Sequence, residues 1–335
     1  MFFSKSIDPI QIDGYQSYGT ATHLYVIGRA IEDEGVNLEK TGFLAAFKNA
    51  YKQFKSDELR HTKLRVTLPN NQVFYTTTDA EGYFIVDQEV SGLDQHINEE
   101  GWLQITISFD DVQKDVEVVG SNVFYCQMLI PSNTAEYGVI SDIDDTILHT
   151  GVASLLKWRL IINTIFKNVS SRVPLKGAPE LYQKLHLGAS GKAANPIFYV
   201  SNSPWNLYRY LKFFIQDQNF PKGPILLRDF RTPFEKTPVP EKPHKQKEVR
   251  AILNAYPDLK FILIGDSGEH DVDIYLEVAK EYPDQILAVY LRSVKYEKKV
   301  LRVKAVLQKY ETTPAVLVEK SVFAEDHARK LGLIK

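Results

Sequence analysis

Hydrophobic and polar residues alternate in short runs from the N-terminus to about Pro131. Runs of this length, rich in β-branched and aromatic residues, predict strands. Turn-forming sequences separate them, as in Pro69–Asn71 and Asp79–Gly82. The predicted strands are Leu24–Ala30, Leu64–Leu68, Val73–Thr78, Tyr83–Val86, Leu103–Ser108, Asp115–Val119 and Asn122–Leu129. Several short strands spaced in this way predict a β-sandwich-like domain over residues 1–132.

One helical pattern interrupts these strands. Four aromatic residues recur at the spacing of a single helix face, with lysines between them: Phe43, Phe47, Tyr51 and Phe54. Such a pattern predicts an amphipathic helix. We interpret it as a helix packed on an edge or a face of a sheet.

After Pro131 apolar strands alternate with helical stretches, which is typical of a parallel sheet with crossover helices. The strands predicted after Gly138–Ile140 are Ile197–Val200, Ile225–Leu227, Phe261–Ile264 and Ile286–Leu291. The predicted helices are Trp205–Gln216, Lys245–Tyr256, Val272–Lys280 and Lys298–Tyr310, with a loop over Thr232–Pro243. The sequence therefore predicts an α/β domain over residues 133–335, with a Rossmann-like parallel sheet and a helical insert at about 151–190.

Composition narrows the class of protein. A chain of 335 residues is comfortable for two domains. A formal net charge of −2 gives no general attraction to nucleic acid, and Cys126 alone excludes an internal disulfide. The sequence has no long apolar segment at its start and no run as long as a membrane-spanning helix. We therefore expect a cytoplasmic protein.

Three carboxylates and a threonine follow closely on the apolar run Gly138–Ile140, namely Asp142, Asp144, Asp145 and Thr146. Carboxylates crowded at the end of a buried strand repel each other, so they need a compensating cation or a catalytic reason. The ends of parallel strands are also where open α/β sheets bind ligands. A calcium loop is the competing interpretation, but Ile147 and Ala153 stand where that loop needs Gly and Glu.

Three more motifs sit at predicted strand ends or helix starts. Ser201 follows one strand, Lys245 opens a helix, and Asp266 and Asp271 follow another strand. Together with Asp142 they supply carboxylates, a hydroxyl and an ammonium group at one sheet edge. That set suits phosphoryl transfer through a covalent aspartyl-phosphate.

Some of these residues have competing interpretations. Lys242 and Lys247 are credible substitutes for Lys245. Asp271 is either a metal ligand or the cap of the following helix. Ser203 is predicted to cap the helix after the Ser201 motif. Asp145 either caps the loop or supports a neighbouring site residue, and no catalytic role is predicted for it.

The residues within each motif indicate a narrower family than the order of the motifs along the chain does. Gly138–Thr146, Ser201–Trp205 and Gly265–Glu269 resemble the catalytic domain of actin-patch-type phosphatidate phosphatases, which are relatives of the lipins in the haloacid dehalogenase superfamily. The resemblance covers about residues 135–295. The β-rich part also resembles, with weaker signals, the domain that precedes it in bacterial members. A haloacid dehalogenase-like fold is implied.

The resemblance implies roles for individual residues. Asp142 would be the nucleophile, and Asp144 the acid that protonates the leaving oxygen and later activates water. Thr146 would steady the loop around Asp144. Ser201 would donate to a phosphate oxygen, and Lys245 would neutralise charge on the phosphoryl group.

The resemblance also implies Mg²⁺. Asp142, Asp266 and Asp271, with the main-chain oxygen of Asp144, would hold the ion. Oxygen ligands suit Mg²⁺, and the ion would screen the repulsion between an anionic nucleophile and an anionic substrate.

The substrate is less sharply indicated than the chemistry. The insert segment Ser154–Val173 combines apolar bulk with basic residues, which fits an interfacial helix at a membrane or a helix buried inside the protein. A phosphatidate-like lipid is the leading substrate, with peripheral membrane contact. The alternatives are a phosphatase of a soluble metabolite or phosphoprotein and a non-catalytic binding module. No nucleic-acid partner is expected.

Overall fold

The structure is a computed structural model. It describes residues 8–33, 58–112, 116–143, 177–228, 244–267, 271–293, 297–308, 310 and 313–335. The chain divides into two compact units, Met1–Ile130 and Pro131–Lys335. The predicted helix at residues 43–54, the loop at 232–243 and the segment 154–173 lie outside the described residues.

The first unit is built from short strands in two sheets. These are β1 (Ile10–Gly14), β2 (Gln16–Tyr18), β3 (His23–Glu32), β4 (Lys63–Thr67), β5 (Val73–Thr77), β6 (Tyr83–Glu89), β7 (Trp102–Phe109) and β8 (Phe124–Leu129). One sheet has the order β1-β3-β6 and the other the order β2-β8-β7-β4-β5. All pairs are antiparallel except β2 with β8.

Both sheets contribute to one hydrophobic core. Val26 and Phe84 come from the first sheet, while Val66 and Ile105 come from the second. Along β7 the buried residues alternate with more exposed ones, because successive side chains of a strand point to opposite faces. The alternation seen in the sequence therefore places the inner faces of both sheets in a common core.

One prediction for this unit needs correction. A strand was expected over Asp115–Val119, but residues 116–118 form only an isolated bridge between Val118 and Ile10. Gly120 and Ser121 then adopt left-handed φ values of 65° and 57°, which end any extended run. The side chain of Asn122 accepts from the Phe109 N–H and donates to the Phe109 carbonyl, and so takes the place of a strand partner.

The second unit contains a six-stranded parallel sheet. Its strands are β9 (Gly138–Asp142), β10 (Ile197–Pro204), β11 (Ile225–Arg228), β12 (Phe261–Asp266), β13 (Ile286–Arg292) and β14 (Ala315–Val318). Their order is β11-β10-β9-β12-β13-β14, which is the Rossmann order 3-2-1-4-5-6 when β9 is counted as the first strand.

A helix follows each of these strands along the chain. They are α1 (Ala178–Leu187), α2 (Tyr208–Asp217), α3 (His244–Ala255), α4 (Asp271–Glu281), α5 (Glu297–Leu307) and α6 (Ser321–Lys330). Residues of β9 and β12 such as Val139, Ile140 and Leu263 are fully buried, as expected for parallel strands covered on both faces. Among the described helices none has the length and apolar character needed to cross a membrane.

The strand order fixes where a ligand would bind. Because the sheet is parallel, the carboxyl ends of its strands lie along one edge. The chain order reverses between β9 and β12, which are direct neighbours, and such a switch point opens a crevice outside the strand ends. The motif residues Asp142 and Asp266 are the last residues of these two strands.

Candidate active site

A buried ion pair lies at the carboxyl end of β9. Lys245 Nζ is 2.9 Å from Asp142 Oδ1, and the two side chains are 1% and 0% exposed. Charges removed from water are costly unless they are paired, so the ammonium and the carboxylate depend on each other. Of the two alternative lysines, Lys247 is exposed and Lys242 lies outside the described residues.

Helix phase explains how Lys245 reaches this position. Val249, Ile252 and Leu253 form the buried face of α3, and α3 packs against β10. Lys245 precedes them by four, seven and eight residues, so it lies on the same face of the helix. Lys245, in the first turn of α3, therefore points to the sheet, where its ammonium group contacts Asp142.

His244 is neutral beside this pair. Burial chiefly, with the nearby cations Arg228, Lys247 and Lys245, lowers the pKa of His244 to about 4, against a hydrogen bond with the Leu226 backbone that raises it. At neutral pH the imidazole therefore adds no charge to the start of α3.

Ser201 lies at the same edge, on β10. It is fully buried and follows Val200, which pairs with Asp142 in the sheet. Its Oγ accepts the N–H of Ser203 at 2.9 Å. The prediction that Ser203 caps a helix is wrong, because β10 continues to Pro204 and the helical turn begins only at Trp205.

The structure describes the other predicted site residues only in part. Asp266 ends β12 and Asp271 begins α4, but their side chains are not described, and Asp144 and Thr146 lie outside the described residues. Within the described part of the chain no group of three or more His, Cys, Asp or Glu side chains is close enough to hold a metal. The magnesium site and the residue roles stay predictions.

A cavity beside the strand ends was not anticipated from the sequence. Its walls come from β12, β13, β14, α1 and α6, and are mostly apolar: Ala178, Leu181, Tyr182, Ile264, Tyr290, Arg292, Val318, Glu319, Lys320, Ser321 and Ala324. Ile264 pairs with Ser141, the residue before Asp142. Arg292 pairs with Asp266. The cavity thus lies near the carboxyl ends of the strands, on the side of the sheet where Tyr182 of α1 packs. The sequence signal for it is Arg292, a basic residue that closes an apolar strand.

Part of the second unit matches a known protein family. Residues 137–293 match the sequence model described as "Phosphatidate phosphatase APP1, catalytic domain". The family resemblance predicted from the motifs is confirmed. The match includes Asp142, Ser201, Lys245 and Asp266.

Two fungal relatives extend the similarity. The chain is 36% identical over 222 residues to phosphatidate phosphatase APP1 of Saccharomyces cerevisiae, an alignment covering 65% of this chain and 34% of that protein. It is 28% identical over 223 residues to an uncharacterized protein of Schizosaccharomyces pombe, covering 66% of this chain and 34% of that protein. These alignments thus cover about a third of the length of either relative.

Among solved structures, a crystal structure of Bacteroides thetaiotamicron EndoBT-3987 with Man5GlcNAc product aligns over 97% of this chain and 95% of that chain. Its TM-score is 0.21 at 10% sequence identity. This likeness carries no conclusion about fold or function.

Proposed function

We propose that the protein is a Mg²⁺-dependent phosphomonoester hydrolase that acts through an aspartyl-phosphate, with a phosphatidate-like lipid as substrate. The observation that carries the proposal is the buried Asp142–Lys245 pair at the carboxyl edge of the sheet, within a segment similar to the catalytic domain of the phosphatidate phosphatase APP1. The second unit would be haloacid dehalogenase-like, and the first sandwich-like.

The proposed chemistry has two steps. In the first, a carboxylate oxygen of Asp142 forms a bond to phosphorus while the bond to the leaving oxygen breaks, and Asp144 gives that oxygen a proton. In the second, Asp144 takes a proton from water, whose oxygen attacks phosphorus and releases Asp142 and inorganic phosphate. Lys245, already paired with Asp142, would balance the negative charge that gathers there.

The donor chemistry fits the proposed ion. Asp142 and Asp266 end neighbouring strands, and Mg²⁺ is bound through carboxylate and other oxygen ligands. Asp271 and the main-chain oxygen of Asp144 would complete the protein's contribution. When bound, the ion supplies positive charge that screens an anionic phosphate from an anionic nucleophile.

One observation favours a lipid over a soluble phosphoester: the Saccharomyces cerevisiae relative is a phosphatidate phosphatase by name. We propose a cytoplasmic enzyme that contacts a membrane peripherally to reach this substrate.

Phosphate release tests the proposal. Phosphatidate in detergent micelles and a panel of sugar, nucleotide and peptide phosphates would be assayed with Mg²⁺ and with a chelator. We expect metal-dependent release from phosphatidate, lost in Asp142→Asn and retained in Asp258→Asn, which changes an exposed carboxylate of the same unit.

Two outcomes of this assay would change the proposal. Release that survives Asp142→Asn, or no release from any substrate, would overturn the assignment. Release from soluble phosphates alone would keep the chemistry and reject the lipid, in favour of a phosphatase of soluble metabolites or phosphoproteins.

A further inference from the structure

A chain of hydrogen bonds leads from α1 to the main chain of the proposed nucleophile. The Ser141 hydroxyl donates to the main-chain oxygen of Asp142 at 2.9 Å, and the Tyr182 hydroxyl lies 2.6 Å from Ser141 Oγ. We propose that Tyr182 is a positioning residue that holds Asp142 in place through Ser141. Its catalytic consequence rests on the function proposed above for Asp142.

Hydrogen counting gives the direction of the chain. A serine hydroxyl has one hydrogen and can also accept. Ser141 uses its hydrogen on the Asp142 carbonyl, which is an acceptor only. The Tyr182 hydroxyl must therefore donate to Ser141 Oγ. Because Tyr182 donates to Ser141 Oγ, the Ser141 hydroxyl stays in the orientation in which its hydrogen points to the Asp142 carbonyl oxygen.

Burial makes this chain effective. Ser141 and Asp142 are 0% exposed and Tyr182 is 2% exposed, so water does not compete for the bonds. Burial also raises the pKa of Tyr182, which keeps the phenol protonated as a donor. The Tyr182 ring packs edge-to-face on Phe220 at 5.1 Å between centroids, so the donor itself is fixed.

The end of β9 is thereby held from both faces of the sheet. Successive strand residues point to opposite faces, so Ser141 turns to α1 and Asp142 turns to Lys245 on α3. The peptide between Asp142 and Ile143 is bound at both its polar atoms. Its oxygen accepts from Ser141, and its N–H donates to the Val200 carbonyl at 3.2 Å.

Kinetics of Tyr182→Phe test the catalytic consequence. The variant keeps the ring and removes only the hydroxyl. We expect kcat to fall about fivefold with KM changed less than about twofold, because positioning acts on the reaction step more than on binding. Ser141→Ala should give a similar loss, and the double variant no more than either single variant, since both act in series on one carbonyl.

Tyr137→Phe is the matched control. Tyr137 is also buried and also bonded to α1, but its hydroxyl donates to the carbonyls of Leu185 and Leu333, away from Asp142. A kcat loss in Tyr182→Phe no larger than in Tyr137→Phe would overturn the catalytic role. Additive losses in the double variant would also overturn it.

Amide hydrogen exchange of Ile143, measured by NMR, tests the positioning without any substrate. We expect exchange at least about threefold faster in Tyr182→Phe than in Tyr137→Phe, because the Ile143 N–H belongs to the peptide that the chain holds. Equal exchange in the two variants would overturn the proposal. If the wild-type protein hydrolysed no phosphoester, the proposed function would fail, and Ile143 exchange would still decide whether Tyr182 fixes this peptide.

Discussion

Lys245 brings a positive charge into the interior of the second unit, where Asp142 matches it at 2.9 Å. Removing one partner of a buried pair leaves the other charge uncompensated, at a cost of about 3–5 kcal/mol. We expect Lys245→Met to lower the free energy of unfolding by about that amount. The double variant Asp142→Asn with Lys245→Met should be more stable than Lys245→Met alone, because it removes both charges. Urea unfolding measures these differences.

Lys247→Met is the control for this substitution. It removes the same side chain from an exposed position two residues further along α3, and should change stability by no more than about 0.5 kcal/mol. Equal stability of Lys245→Met and Lys247→Met would contradict the interpretation of the Asp142 contact as a dependent pair.

His244 predicts a pH dependence of stability. Its pKa falls from an ordinary 6.5 to about 4 in the folded protein, chiefly through burial. Between these values the unfolded chain binds a proton that the folded chain does not. The stability that neutral His244 contributes is therefore fully present above pH 6.5 and is lost as the pH falls towards 4. The free energy of unfolding changes with a slope of up to about 1.4 kcal/mol per pH unit. Chemical unfolding from pH 7 to 4 should show a smaller loss in His244→Gln.

The positions of candidate site residues in strands and helices were predictable where they followed from a local pattern, while their roles stay predictions. Asp142 and Asp266 close apolar strands, and Lys245 lies on the apolar face of an amphipathic helix. Ser203 was misjudged, because the apolar run stops before the strand does. Tyr182 gave no signal, since its bond to Ser141 joins residues 41 positions apart and depends on how α1 docks.

At the scale of elements, the pairing of β10 with β11 depends on a close backbone approach at Gly223. A Cβ at Gly223 would lie 1.9 Å from the Ile197 carbonyl oxygen, and a backbone atom cannot turn aside as a side chain can. Gly223→Ala should therefore destabilise the second unit by about 1–3 kcal/mol. It should also weaken the bond from the Tyr199 N–H to the Pro224 carbonyl, which amide exchange at Tyr199 would report.

Gly332→Ala separates this effect from a general cost of replacing glycine. A Cβ at Gly332 meets nothing within 4 Å, although its φ of 72° is left-handed. Its cost is backbone strain of about 1–2 kcal/mol, with no effect at Tyr199. Similar Tyr199 exchange in the two variants would argue against the steric explanation.

Elements were predictable where hydrophobic periodicity was strong. Helix α3 was expected at Lys245–Tyr256 and lies at His244–Ala255. Short elements escaped notice: β1 and β2 are five and three residues long, and β14 has only four. Periodicity needs several repeats to stand out, so elements of this length are set by their neighbours in the sheet.

At the scale of the whole molecule, each unit has a hydrophobic core of its own. The change of texture near Pro131 reflects this, because alternating strands give way to continuous buried ones. The division found in the structure falls between Ile130 and Pro131. Antiparallel and parallel sheets demand different sequence patterns, so a change of pattern is expected where one kind of sheet gives way to the other.

Separate cores predict separate responses to substitution. Ile105 in the first unit and Leu263 in the second are both 0% exposed, so truncation to Ala should cost about 2–5 kcal/mol in either case. We expect Ile105→Ala to speed amide exchange in β3, β4 and β7 while leaving β9, β10 and β12 unchanged, and Leu263→Ala to do the reverse. Exchange mass spectrometry resolves these segments. A uniform increase along the chain in either variant would mean that the two units unfold as one, because a single cooperative transition spreads any loss of stability over every protected amide.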